Sequence, residues 1–164
     1  MRGIVLAIAV FTVAFSGDVI AQKTESLVGT WKLVYASAST PDGSRNDAPF
    51  GVNPTGFLTY TSEGRMSAMI SYGGRKPLSS ADRITAPVDE RAEAFATFFA
   101  YGGRYSIADD KVIHHVDISS VQNWVGTDLI RLIKFDGDRI TLRTPPLSVG
   151  GTIRTTELVF ERVK

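Results

Sequence analysis

The chain has 164 residues and a nearly balanced charge, with 18 basic and 17 acidic residues and a formal net charge of +1. Because a nucleic-acid-binding domain needs a concentrated basic surface, this balance argues against a nucleic-acid partner. Cysteine is absent, which excludes disulfides, thiolate metal sites and thiol nucleophiles. A hydrophobic fraction of 43% is typical of a single globular domain with a real core.

The first 21 residues differ from the rest of the chain. Met1 and Arg2 give a short positive start, and residues 3–15 form an uncharged apolar run. This pattern indicates a secretory signal peptide over residues 1–21, with cleavage after Ala21 and a mature domain over residues 22–164. The run is shorter than the roughly 20 apolar residues of a spanning helix. We therefore expect an exported protein, periplasmic or secreted, with no integral membrane segment in the mature chain.

Short strands separated by turn signals follow the leader. The first strand is predicted over residues 27–37, where apolar and polar side chains alternate. Residues 39–54 are rich in Pro, Gly, Asn and Asp and predict a loop. A hairpin is predicted next, with strands over residues 55–61 and 65–72 and Gly64 in the turn.

One helix is predicted over Val88–Tyr101, between the third and fourth strands. Pro87 suits the first turn of a helix, and the pair Gly102-Gly103 is a typical helix end. One apolar face is expected from residues that recur at helical spacing, namely Val88, Ala92, Phe95 and Phe99. The helix would lie across one end or side of the fold with this face inward, either as a lid or as packing that closes the bottom.

Five more strands complete the pattern, over residues 104–108, 111–119, 127–135, 139–144 and 152–163. Eight sequential antiparallel strands form either a sandwich or a closed barrel. Closure removes the exposed edges, and eight strands enclose room for side chains or one small ligand. The fold class favoured is therefore an all-β, eight-stranded, antiparallel up-and-down barrel.

Several segments support the barrel by resemblance. Gly29-Thr30-Trp31 resembles the Gly-x-Trp signature of lipocalins. The chain from about Leu27 to Arg162 closely resembles the bacterial and fungal lipocalin-like domain family, in the segments LVGTWKLV, PFGVNPTGFLTYTSEGRMSAMI, FFAYGGRYSI, HHVDIS, NWVGT and TPP. The resemblance implies that Trp31 plugs one barrel end and that Arg162, from the last strand, packs across its indole. It supplies no catalytic residues.

The only histidines are the neighbours His114 and His115. Adjacent strand residues face opposite sides, and His114 shares its face with Val112 and Val116, so His114 is predicted to point inward. The two rings then cannot converge on one metal, and no metal site is expected. His114 is either a polar group in the cavity, able to donate, accept or carry a proton, or a hydrogen-bonded core histidine.

Arg131 is the second candidate polar group. It shares a strand face with Leu129 and Ile133, from which it could bind a carboxylate ligand inside the barrel. The alternative is that the opposite face, with Ile130 and Leu132, points inward. The apolar part of a pocket is expected from aromatic and sulfur side chains, although each of them could instead be simple core packing: Tyr60, Met66, Tyr72, Phe95, Phe99, Tyr101, Tyr105 and Trp124.

Three functions follow from these features. The leading one is an exported protein that binds a small apolar or amphipathic molecule in the barrel, because no nucleophile elbow, phosphate loop or metal-ligand string occurs and no cofactor is expected. The first alternative is a cofactor-independent isomerase or cyclase that uses His114, Tyr105 and Arg131 as acid–base and anion-stabilising groups. The second is a structural or interaction barrel with no ligand.

Overall fold

The computed structural model describes residues 16–164, and their side chains from Gln22 onward. Most of the predicted signal peptide lies outside the described residues. The chain contains a helix α1 (Ser16–Leu27), a helix α2 (Val88–Ala96) and a short 3₁₀ turn at Gln122–Trp124. Within the described residues, no helix has the length and apolar character needed to span a membrane.

The described residues form ten strands: β1 (Gly29–Ser39), β2 (Arg45–Asn46), β3 (Thr55–Tyr60), β4 (Arg65–Ser71), β5 (Phe98–Ala108), β6 (Lys111–Ser119), β7 (Asp128–Asp136), β8 (Arg139–Arg143), β9 (Leu147–Val149) and β10 (Thr152–Arg162). Eight of them, β1, β3 to β8 and β10, form a closed antiparallel barrel. The closing pair joins β1 to β10, from Trp31 opposite Arg162 to Ser39 opposite Thr155. The short strands β2 and β9 extend one end. The predicted eight-stranded antiparallel barrel is thereby confirmed.

The predicted position of the helix, between the third and fourth strands, is wrong. The helix α2 follows β4, because the loop after β1 contains the short strand β2. The helix also ends at Ala96 rather than Tyr101, and it buries none of its residues. Val88 is 72% exposed and Phe95 is 56% exposed, so the predicted inward apolar face does not form.

Residues 98–103 form the start of β5 rather than a helix end. This segment pairs with β4 from Ser71 opposite Phe98 onward. The register with β6 shifts between Gly102 and Gly103, which is a β-bulge. A Cβ on Gly103 would lie 1.9 Å from the carbonyl oxygen of His115, so this glycine permits two backbones to approach closely.

We call the barrel end that carries α1 the base. Trp31 is fully buried there, and its indole N–H donates to the carbonyl of Leu27 at 2.9 Å. The guanidinium of Arg162 lies 4.0 Å above the indole and donates to the carbonyl of Val28 at 2.7 Å. A Cβ on Gly29 would lie 2.6 Å from that guanidinium. The Gly-x-Trp segment therefore places a small residue where Arg162 crosses and an indole beneath it.

Candidate functional site

A cavity of about 280 Å³ opens at the other barrel end, which we call the mouth. This volume is at the small end of the range for ligand pockets and suits one small molecule. Its wall is mainly apolar, and the aromatic lining includes Phe50, Phe57, Tyr72, Phe98, Phe99 and Trp124. The end of α2, through Phe95 and Ala96, also borders this cavity, so the helix lies at the mouth rather than across the base.

Strand alternation determines which polar side chains reach the interior. On β6 the buried positions are Val112, His114 and Val116, as predicted. On β7 the inward position is that of Arg131, which is 8% exposed, while Ile130 on the other face is 40% exposed. Both His114 and Arg131 line the cavity. This placement resolves the alternative left open by the sequence of β7.

The His114 ring is held between two tyrosines. Its Nε2 lies 2.7 Å from the Tyr60 hydroxyl, and its Nδ1 lies 2.9 Å from the Tyr101 hydroxyl. Burial, followed by the positive charges of Arg131 and His115, lowers the pKa of His114 to about 3. The imidazole is therefore neutral near pH 7 and donates one hydrogen bond while accepting the other. His114 is both a hydrogen-bonded core residue and part of the cavity wall.

The two tyrosines stay protonated for the same reason. Burial is the main cause that raises the pKa of both phenols, and the charge of Arg131 opposes it. The phenol of Tyr101 lines the cavity, whereas Tyr60 lies behind the histidine and is 1% exposed. Hydrogen bonds therefore connect Tyr60 in the core, through His114, to Tyr101 at the cavity wall.

Arg131 gives the cavity its charge. Its guanidinium donates to the carbonyl of Ile130 at 2.9 Å, and no carboxylate of the described residues forms an ion pair with it. A second cation, Arg154, also lines the cavity. Among the described residues that line it, none is Asp or Glu. The site is therefore an apolar cavity with a positive interior.

The remaining predicted pocket residues divide into two groups. Tyr72, Phe99 and Trp124 line the cavity near the mouth, and the rings of Phe99 and Trp124 meet edge to face at 5.8 Å. Tyr60, Met66 and Tyr105 do not line it. Met66 is 4% exposed in the core, and Tyr105 donates to the carbonyl of Thr61 at 3.0 Å.

Several lining residues are not predicted from the sequence, and Phe50 and Arg154 are two of them. Tyr101 is predicted as a possible pocket residue at the end of the helix, whereas it lies on β5 and alternates inward with Gly103 and Tyr105. Phe50 comes from the irregular segment before β3, where no periodicity exists to indicate burial. Arg154 is on β10 near the Gly150-Gly151 turn, and neighbouring positions are exposed or half-buried on both faces.

On the outer face of the barrel, His115 makes a different set of contacts. Its Nε2 lies 2.9 Å from the Ser106 hydroxyl, and its Nδ1 lies 2.7 Å from a carboxylate oxygen of Asp128. The order is that of a Ser-His-Asp relay. However, none of the three lines the cavity. Their contacts join β5, β6 and β7 across the outer surface.

The fold and the site together define a class: a closed antiparallel barrel with an apolar internal cavity. A family model of the lipocalin-like domain matches residues 28–163. The chain therefore belongs to the lipocalin-like domain family.

Individual relatives are more distant. A 4'-hydroxy-3'-methoxypropiophenone carrier protein from Aspergillus oryzae is 29% identical over 107 residues, a match that covers 60% of this chain and 96% of the relative. A lipocalin-like protein from Bacteroides uniformis is similar in structure, with 14% identity, a TM-score of 0.43, and coverage of 84% of this chain and 98% of that one. Secretory abundant heat soluble protein 4 from Ramazzottius varieornatus has a TM-score of 0.38 and 12% identity, with coverage of 84% and 95%.

Proposed function

We propose that this protein is an exported carrier that binds one small, largely aromatic or amphipathic molecule in the barrel. The observation that supports this most directly is the aromatic-lined cavity of about 280 Å³, open at the mouth. A relative that matches over 60% of the chain is named as a carrier of 4'-hydroxy-3'-methoxypropiophenone, an aryl ketone by its name. A ligand with an aromatic ring suits the edge-to-face contacts that the rings at the mouth can offer.

Binding is favoured over isomerase or cyclase chemistry. A general base works best with a pKa near the operating pH, whereas the pKa of His114 is lowered to about 3 and both its nitrogens contact tyrosines. Tyr105, another group suggested for catalysis, does not line the cavity. Of the three groups suggested for catalysis, only Arg131 lines the cavity with a charge that no described carboxylate neutralises.

Fluorescence of Trp124 tests the binding function. This indole lines the cavity, whereas the other tryptophan, Trp31, is fully buried at the base and supplies a constant background. We expect small aromatic ketones and acids to quench the Trp124 emission saturably. Native mass spectrometry of the purified protein should also detect a retained small molecule or binding of the added probe.

A matched pair of variants makes this test specific. Ala38→Phe fills the cavity, because Ala38 lines it and is 5% exposed. Lys134→Phe adds the same ring on the exposed face of β7. We expect the first variant to lose probe binding and the second to keep it, with both folded by circular dichroism. Equal binding by the two variants would place the probe outside the barrel.

Export is proposed from the leader sequence. Cleavage after Ala21 would leave intact the contacts of residues beyond the cut, including Leu27 against Trp31 and the hydrogen bond from Lys23 to the carbonyl of Asp109 at 2.7 Å. Expression of the full gene followed by mass measurement of the exported fraction is expected to give a chain that starts at Gln22. A full-length chain retained inside the cell would contradict the proposal.

A further inference from the structure

We propose that the ligand is an anion: a molecule with an aromatic or apolar body and a carboxylate that is bound by the guanidinium of Arg131 and the hydroxyl of Tyr101. This inference rests on the proposed binding function and specifies the chemistry of the ligand.

The first argument is the isolated charge of Arg131. A buried cation costs free energy unless an anion or a full set of hydrogen bonds compensates for it. Arg131 is 8% exposed, and its guanidinium donates to the carbonyl of Ile130 at 2.9 Å and toward the phenol of Tyr101, both of which are neutral groups. No carboxylate among the described residues pairs with it. Because guanidinium groups match carboxylates in a bidentate geometry, a ligand carboxylate is the natural counter-ion.

The second argument concerns the direction of the hydrogen bonds through His114. Tyr60 is buried, and the Nε2 of His114 is its one hydrogen-bonding partner among the described residues. If Nε2 carried the proton, the hydroxyl proton of Tyr60 would be buried without an acceptor, which is unfavourable. Tyr60 therefore donates to Nε2, and the neutral ring carries its proton on Nδ1.

The direction at His114 determines what Tyr101 can do. The Nδ1–H of His114 donates to the Tyr101 oxygen at 2.9 Å, and Arg131 supplies a further donor and a positive charge to the same phenol. The oxygen of Tyr101 thus accepts, and its own proton is left to donate. Since Tyr101 lines the cavity beside Arg131, two donors converge on one place inside the barrel.

The rest of the cavity suits the body of such a molecule. The rings of Phe50, Phe99 and Trp124 lie toward the mouth, while the polar pair lies deeper, on β5 and β7. A bound acid would therefore place its carboxylate inward and its aromatic body toward the mouth. Arg154, which also lines the cavity, would attract anions to the opening.

The test compares two probes that differ in charge and hardly in shape, 3-phenylpropanoate and 3-phenylpropanamide, by calorimetry and by Trp124 fluorescence at pH 7.5. We expect the acid to bind wild-type protein at least tenfold more tightly than the amide. Arg131→Met is expected to remove this preference and to leave amide binding within about twofold. Arg104→Met is the control, because Arg104 is an exposed residue on the outer face of β5.

Each outcome has a distinct meaning. Equal or tighter binding of the amide by wild-type protein would overturn the anion proposal and leave the binding function standing. Absence of binding of either probe up to millimolar concentration would count against both. Tyr101→Phe is expected to weaken the acid several-fold more than the amide. Because the acid–amide comparison needs only wild-type protein, a poorly folded variant does not decide the result.

Discussion

The base and the mouth of this barrel are built from side chains with opposite properties. At the base, Trp31 is fully buried, and Arg162 covers its ring and donates to the carbonyls of Ser26, in the last turn of α1, and Val28, just after it. Inside the mouth, Arg131 is also buried, at 8% exposed, but it faces a cavity and no described carboxylate. Arg162 has its partners within the fold, whereas Arg131 lacks a counter-ion. We infer that the base contributes mainly to stability and the mouth mainly to binding.

The sequence produces this difference through side-chain size along two adjacent strands. The buried residues of β1 become smaller from Trp31 at the base to Ala38 at the mouth. On β3 the buried residues decrease from Tyr60 at the base to Gly56 nearer the mouth. Large inward side chains fill the base, and small ones leave space at the mouth, which is how small barrels combine a packed core with a cavity.

The largest expected effect is on the base. Trp31→Ala removes a fully buried indole and its hydrogen bond to Leu27, so we expect a loss of about 3–5 kcal/mol in the free energy of unfolding. Trp124→Ala, at the half-buried mouth position, should cost clearly less and instead weaken probe binding. Urea denaturation of both variants measures the difference. A larger cost for Trp124→Ala would contradict the assignment of stability to the base.

The next effect compares one substitution at the two arginines. Arg162→Met loses the cation–π contact with Trp31 and the hydrogen bond to Val28, for an expected cost of about 2 kcal/mol. Arg131→Met removes a buried charge that lacks a carboxylate partner, so the unliganded protein should be unchanged or more stable. Thermal unfolding without ligand checks this contrast. Equal destabilisation by both substitutions would show that Arg131 also supports the fold.

The closed barrel could be predicted from local sequence patterns, without knowledge of the tertiary structure. Alternation places His114 correctly, and the Gly-x-Trp segment identifies the residue at the base. The strand β7 could not be oriented in this way, because it carries apolar residues on both faces, such as Ile133 inward and Leu132 outward. Three of the four residues in the segment 98–101 are aromatic and all four are apolar, so pairing with β4 rather than periodicity decides that it is a strand.

The aromatic pocket could be predicted only as a composition. Met66 and Tyr105 have the right chemistry but lie toward the base, where neighbours fill the space. Tyr101 has the same chemistry and lines the cavity, and only the bulge at Gly102-Gly103 and the pairing of β5 place it next to His114. Contacts of this kind depend on register, which a single sequence does not specify.

A smaller effect is expected in the pH dependence of the free energy of unfolding, and it distinguishes His114 from His115. In the unfolded chain, His114 takes up a proton near pH 6.5. In the folded chain, the pKa of His114 is lowered to about 3, so its ring is protonated only at far lower pH. Stability is therefore present above pH 6.5 and is lost as pH falls, by about 1 kcal/mol between pH 6.5 and 5.5. His114→Gln should flatten this dependence, measured by urea denaturation at each pH. His115→Gln should retain it, and loss of the slope in both variants would indicate a different titrating group.

The smallest effect is expected on the outer face. Ser106→Ala removes the hydroxyl that lies 2.9 Å from His115, at an exposed position where water replaces the lost contact. The free energy of unfolding should change by no more than about 0.5 kcal/mol, and probe binding should not change. Hydrolysis of an activated ester such as p-nitrophenyl acetate should not change either, because Ser106, His115 and Asp128 lie outside the cavity, where the described residues form no pocket that would hold an ester. A loss of ester hydrolysis in Ser106→Ala, relative to wild type, would instead show that the outer face is catalytic. The catalytic histidine would then be His115 and not His114.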